Sequence, residues 1–215
     1  MLNLKTLSAG AVALGLSAFA ANAAVVDFTD STAFSNTDLS ESIEGVLITI
    51  SSNPTGLNFD DNIRDAGALP CASLACDNDG IGINDDEISN PSGVSQSVTV
   101  TFSRAVDIVS FAGLDLYADM DGEFLMGETN GGVSATAASI EMFGDGGNGF
   151  GESTVLPFNQ TTSMVFTVAA TNDALGVADA ALASITFNVA PIPLPAGVLL
   201  LGGALAGLGL TRRKS

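Results

Sequence analysis

The chain has 215 residues, 24 acidic side chains against 6 basic ones, no histidine, no tryptophan and two cysteines. Without histidine there is no Ser/His/Asp triad, no Cys/His dyad and no His-ligated metal. Lys5 stands near the start and Arg212, Arg213 and Lys214 at the end, which leaves only Arg64 and Arg104 among all the carboxylates. Such a surface repels phosphate backbones, so nucleic-acid binding is excluded. A composition that is 47% hydrophobic argues for a buried core despite the charge.

Residues 1–23 carry Lys5, then an apolar Ala/Leu/Gly stretch, and finish on Ala21-Asn22-Ala23, the small-x-small pattern accepted by signal peptidase. They read as a secretory signal helix whose apolar core is short for a membrane span. Cleavage after Ala23 makes Ala24 the first mature residue.

Residues 24–190 form a body of single-domain length. Strand-like runs are expected at 25–28, 45–51, 94–103, 106–117, 139–143, 154–158, 163–168 and 183–189. The third is the clearest: Val98, Val100 and Phe102 alternate with Ser97, Thr99 and Thr101, the period of a sheet with one wet face. Gly, Asn and Asp join these runs instead of long helices. The expected fold is therefore all-β, an antiparallel β-sandwich of jelly-roll type, with an up-and-down barrel as the alternative. Residues 171–183 alone have helical composition. Residues 53–91 and 144–151 are expected loops, the first long enough to suggest a function of its own.

The loop 53–91 holds Cys71 and Cys76. Their spacing excludes a CxxC redox motif, and an oxidising compartment favours a local disulfide between them. Next come Asp77, Asp79, Asp85, Asp86 and Glu87, and further on Asp119, Asp121 and Glu128. Both clusters contain D-x-D-G, a spacing that lets alternate carboxylates converge on a hard cation while glycine turns the chain. Measured against an EF-hand, both lack the leading carboxylate, with Tyr117 or Ala75 in its place. These eight acids are candidate ligands of a sandwich-type calcium (Ca2+) site. The bland alternative is a set of solvated acidic turns. Mutual repulsion with so few counter-charges favours calcium.

Paired carboxylates can hydrolyse glycosides without histidine, and Asp115 with Asp119, or Asp85 with Glu87, are nominal pairs. With so many acids a pair arises anywhere, and only Tyr117 and phenylalanines offer an aromatic face for a sugar. No catalytic residue is assigned and a non-enzyme is expected.

At the C-terminal end, Pro191, Pro193 and Pro195 precede the uncharged stretch 196–210, and Arg212-Arg213-Lys214 follow. As a helix that stretch would span roughly 22 Å, a marginal transmembrane anchor against a hydrocarbon core of ~30 Å. Basic residues stay on the cytoplasmic side, which leaves the body outside. Gly203 and Gly207 form a GxxxG pair. The order Pro193-Leu194-Pro195-Ala196, Gly/Leu-rich stretch and basic terminus resembles the VPLPA-CTERM sorting signal, a variant of the PEP-CTERM class of exported Gram-negative proteins, with Ile192 where that motif has valine. The likeness covers residues 191–215. It implies processing near Pro193 to Ala196 by an exosortase-type membrane protease, after transient anchoring in the inner membrane, and release or transfer to the cell surface or extracellular matrix. The stretch 80–90 leading into the 94–103 run also resembles other ectodomains that carry such tails. The expectation is an exported surface or matrix protein without catalytic activity. Its alternative is a calcium-dependent module that binds extracellular polysaccharide.

Overall fold

A computed structural model describes residues 23–59, 73–84, 87–90, 95–118, 122–142, 147, 149–170, 178–189 and 204. The described elements are strands: β1 (Ala24–Asp27), β2 (Ser40–Ile43), β3 (Val46–Asn53), β4 (Leu57–Asn58), β5 (Gly82–Ile83), β6 (Ile88–Ser89), β7 (Ser97–Leu114), β8 (Glu123–Thr129), β9 (Ser134–Ala138), β10 (Gly151–Ser153), β11 (Thr161–Ala170) and β12 (Asp179–Val189). All pairings between them are antiparallel, as expected. The two runs expected at 94–103 and 106–117 are one 18-residue strand, β7.

Each edge of β7 carries two partners in succession. Along one edge β3 pairs with its first half and β12 with its second; along the other β11 and then β10 do the same. β8 pairs with β11 and β9, and β9 pairs with β10. The path β7-β10-β9-β8-β11 therefore returns to β7 and closes a five-stranded barrel. β1 and β6 extend it beyond β12, and β2 beyond β3.

β7 can serve four partners because its ladders are interrupted. The pairing with β11 shifts register between Thr161 and Ser163, and the pairing with β12 shifts between Leu182 and Ser184 and again between Thr186 and Phe187. Such bulges bend a strand and increase its local twist. They also change which parity faces inward: Val98, Val100, Phe102, Val106 and Ile108 are buried, and then Phe111 is. The barrel interior is filled. Phe111 meets Phe166 edge-on at 5.1 Å, while Phe102 meets Phe187 of β12, a strand outside the ring, at 5.6 Å. Gly127 leaves the room these rings occupy, since a Cβ there would collide with Met164, Phe111 and Phe166.

Several expectations need correction. Residues 139–142 form no strand; the neighbouring strand is β9, and the Ser139 hydroxyl and the Glu141 carboxylate are engaged in local turns, accepting the amides of Glu141 (3.0 Å) and Gly149 (2.9 Å). Residues 154–158 run beside β7 without forming a ladder, because Pro157 has no amide and the Asn159 side chain substitutes for the backbone. It accepts from the Ile108 amide (3.1 Å) and donates to the Ile108 carbonyl (2.8 Å). In the stretch expected to be helical, residues 179–183 belong to β12; 171–177 lie outside the described residues. Ala180, Ala181, Leu182, Ala183 and Ile185 are fully buried, and that burial between β7 on one edge and β6, Ile81 and β1 on the other overrides helix propensity. The expected loop 53–91 contains β4, β5 and β6. Strands β2, β8 and β9 had no clear sequence signal.

Gly80 has φ +104, and a Cβ there would sit 2.5 Å from the Leu182 carbonyl oxygen, a backbone atom that cannot swing away. Gly80→Ala is expected to cost about 2–3 kcal/mol, read as a lowered denaturation midpoint. Gly132→Ala, with φ +79 but open space around it, should cost about 1 kcal/mol or less. Equal losses in the two variants would refute the backbone clash.

Candidate functional site

The first acidic segment is tied down by the chain just after β1. Asp27 accepts the Thr29 amide (2.9 Å) and hydroxyl (2.6 Å) on one oxygen and the Ala75 amide (2.8 Å) on the other. The buried Thr29 accepts the Cys76 amide on its hydroxyl (2.8 Å) and the Asp77 and Asn78 amides on its carbonyl (2.9 and 3.2 Å). Asn78, also buried, accepts the Gly80 amide at 2.9 Å. Ile81 then exchanges both backbone bonds with Leu182, at 3.0 and 3.1 Å. Apolar residues of the segment point inward: Ile81, Ile83 and Ile88 are fully buried.

None of its described acids is buried. Asp77 is exposed and accepts the Ser31 hydroxyl at 3.3 Å, while Asp79 and Glu87 are half-buried. A recess of about 380 Å³ opens beside Asp77, lined by Ser31, Asn36, Phe59, Asp77 and Asn78 among others. Asp85 and Asp86, and Asp119 and Asp121 of the second cluster, lie outside the described residues. Glu128 stands apart, on the outer face of β8, in a groove of about 580 Å³ shared with Met126, Asn130, Ser134, Ser163 and Thr167. Among the described residues no three carboxylates or thiols converge on one point.

Other sequence-derived sites divide in the same way. Cys76 is described, in a left-handed conformation at φ 53, and Cys71 lies outside. Ala23 is exposed immediately before β1, whereas Ala21 lies outside. Pro193, Leu194, Pro195, Ala196, Arg212, Arg213 and Lys214 all lie outside the described residues. Among the described residues no helix is long and apolar enough to cross a membrane.

The structure also joins two acids that the sequence reading did not single out. Glu123 opens β8 and Asp179 opens β12, and their carboxyl groups are hydrogen-bonded to each other, with the Tyr117 and Asp179 amides donating to Glu123. Glu123 is only 6% exposed. Burial, then the Asp179 charge, pushes the Glu123 carboxyl up to about 8. The two carboxyls therefore share a proton at neutral pH. Direct contact leaves them closer than the roughly 5 Å or more that glycoside hydrolysis requires. Elsewhere, crowding acts more weakly: partial burial and the charges of Asp30 and Asp38 raise Glu41, while the Thr32 hydroxyl and amide hold Asp30 low. No sequence signal marks residues 123 and 179 as partners, because they are far apart in the chain and meet only through the closure of β8 against β12.

An acid whose folded value is raised is protonated in the folded chain and ionised in the unfolded one above about 4.5. The stability it contributes is thus present at low pH and lost as pH rises from about 4.5 through about 8. Glu123→Gln keeps a neutral hydrogen-bonding group beside Asp179. Denaturant titrations across this range should show the variant flattening the decline, gaining at least about 1 kcal/mol on the parent protein at pH 8 relative to pH 5. Parallel pH profiles for the two proteins would rule out the shared proton.

Against known proteins, the chain matches no family model, no curated protein and no solved structure.

Proposed function

We propose that this is an exported, non-catalytic protein of the cell surface or extracellular matrix. Residues 1–23 direct secretion, residues 24–190 are the working ectodomain, and residues 191–215 tether it to the inner membrane until an exosortase-type protease acts near Pro193 to Ala196. One observation carries the reading: a tripartite tail of proline motif, uncharged stretch and basic cluster stands opposite a signal-peptidase pattern, with an acidic all-β body between them. The start of β1 at Ala24 supports it, since the expected cleavage leaves the first strand whole. A jelly-roll-like sandwich is the architecture we favour for the body, on the grounds that β7 contributes its two halves to different sets of partners. A local Cys71–Cys76 disulfide belongs to the same reading.

Mass spectrometry of the mature protein, isolated from cells that express an exosortase, tests this. The expected product begins at Ala24 and ends at or before Ala196, with Cys71 and Cys76 resistant to alkylation until reduced. A surface product that retains Arg212 to Ser215 would contradict sorting.

The second reading is a calcium-dependent carbohydrate-binding module. What favours it is the rigid mounting of Asp77 and Asp79 by Gly80, Ile81 and the Asp27–Thr29 turn, beside a polar recess, and the hydroxyl-lined groove that contains Glu128. A preformed carboxylate turn loses little entropy on binding a hard cation. Millimolar calcium should then raise the melting temperature by several degrees, roughly the effect of 1 kcal/mol on a domain this size, and Asp121→Ala should abolish the rise. An unchanged melting temperature in calorimetry would eliminate this reading.

A further inference from the structure

Around residues 103–107 of β7 three features come together. β12 ends there, with Val189 paired to Val106, and the apolar stretch 196–210 follows it in sequence. Large apolar side chains stand exposed on both sides of it. Leu47, whose amide donates to the Ser103 hydroxyl at 2.9 Å, is 48% exposed. Val155 and Phe158 are 75% and 78% exposed on the segment that Asn159 fastens to Asp107 and Ile108. That segment is held firmly: the Leu156 amide donates to the Val109 carbonyl at 2.8 Å, and Asp107 accepts the Asn159 and Gln160 amides at 2.9 and 3.0 Å. Finally, Arg104 is the one basic side chain among the described residues. Its terminal nitrogen donates to the Glu44 carbonyl at 3.3 Å, its Nε is buried without a partner, and no described carboxylate pairs with it.

We propose that this corner is a membrane-seating surface: Leu47, Val155 and Phe158 enter the boundary between headgroups and acyl chains of an uncharged phospholipid bilayer, and Arg104 takes a lipid phosphate. The proposal rests on the tail being a membrane tether and adds how the body sits on that membrane. Rigidly presented apolar side chains are suited to shallow insertion, because little conformational entropy remains to be lost. The charge pattern selects the lipid. Arg104 complements the phosphate and the exposed Glu44 carboxylate complements the ammonium of a zwitterionic headgroup, whereas the acidic body repels an anionic surface. A short tether also needs this. Were residues 196–210 helical they would span roughly 22 Å, short of a ~30 Å hydrocarbon core, and apolar contacts at the exit corner would draw the body down onto the interface.

The chain has no tryptophan, so Phe158→Trp introduces a single indole at the corner. Ile140→Trp, 94% exposed just beyond β9, places one toward the other end of β7 instead. Each exported variant, with its tail intact, is inserted into phosphatidylcholine vesicles carrying brominated acyl chains, and vesicle association is scored by flotation. Corner insertion gives about twofold quenching and a blue-shifted emission for Phe158→Trp, with little of either for Ile140→Trp. Adding Arg104→Gln to Phe158→Trp should reduce the quenching while the protein still floats. If both indoles stay unquenched on floating protein, the seating surface is refuted and the tether stands. If the protein does not float, tether and seating surface fall together.

Discussion

The bent course of β7 is the constraint on which the rest of the protein depends. A flat strand has two neighbours; β7 has four, because register shifts opposite Thr162 and near Val109 turn it between them. That turn brings β10 and β11 onto one edge, and the β8–β9–β10 meander then has no choice but to close the ring. A closed ring has no edges of its own, so it offers no unpaired strand to another chain. The remaining edges of this sheet fall on short strands, β1, β2 and β6, at the periphery.

Closure has an electrostatic consequence. A chain this acidic can keep its carboxylates in water only if they lie on the outer faces of strands or in loops. The described residues obey this nearly everywhere: Glu128 and Glu152 sit on outer faces, and Asp77, Asp79 and Glu87 stay at least partly exposed while Ile81 and Ile83 beside them are buried. Glu123 is the exception. It is drawn inside where β8 meets β12, and the cost of burying its carboxyl beside the half-buried Asp179 is offset by protonating it. The pair fastens the start of β8 to the start of β12.

The acidic segment shows how a stretch with only a two-residue strand and one isolated bridge can still be tied to the fold. Its backbone donors find partners in Asp27, Thr29 and Leu182, and its alternate isoleucines join the core. In sequence this stretch resembles a flexible, charged connection. Its mobility is suppressed by long-range hydrogen bonds to residues some 46–48 positions earlier in the chain.

Local chemistry made part of this protein legible from sequence. Period-two alternation identified β3, β11 and most of β7, since a half-buried strand imposes that pattern directly. The same reasoning missed β8 and β9, where Gly127 and a run of small residues answer to the packing of Phe111 and Phe166 and not to a local period. It also misread the start of β12, whose alanines have helical propensity but are buried on both sides. The proline, apolar and basic order of residues 191–215, and the small-x-small pattern at Ala21 to Ala23, are legible without a fold because each is a local run of residue types. Only the tertiary structure decided the union of two strands into β7, the closure of the barrel, the pairing of Glu123 with Asp179 and the gathering of Arg104, Leu47 and Phe158 at one corner. Each joins residues distant in the chain, and no local pattern encodes a contact that exists only once the sheet has bent.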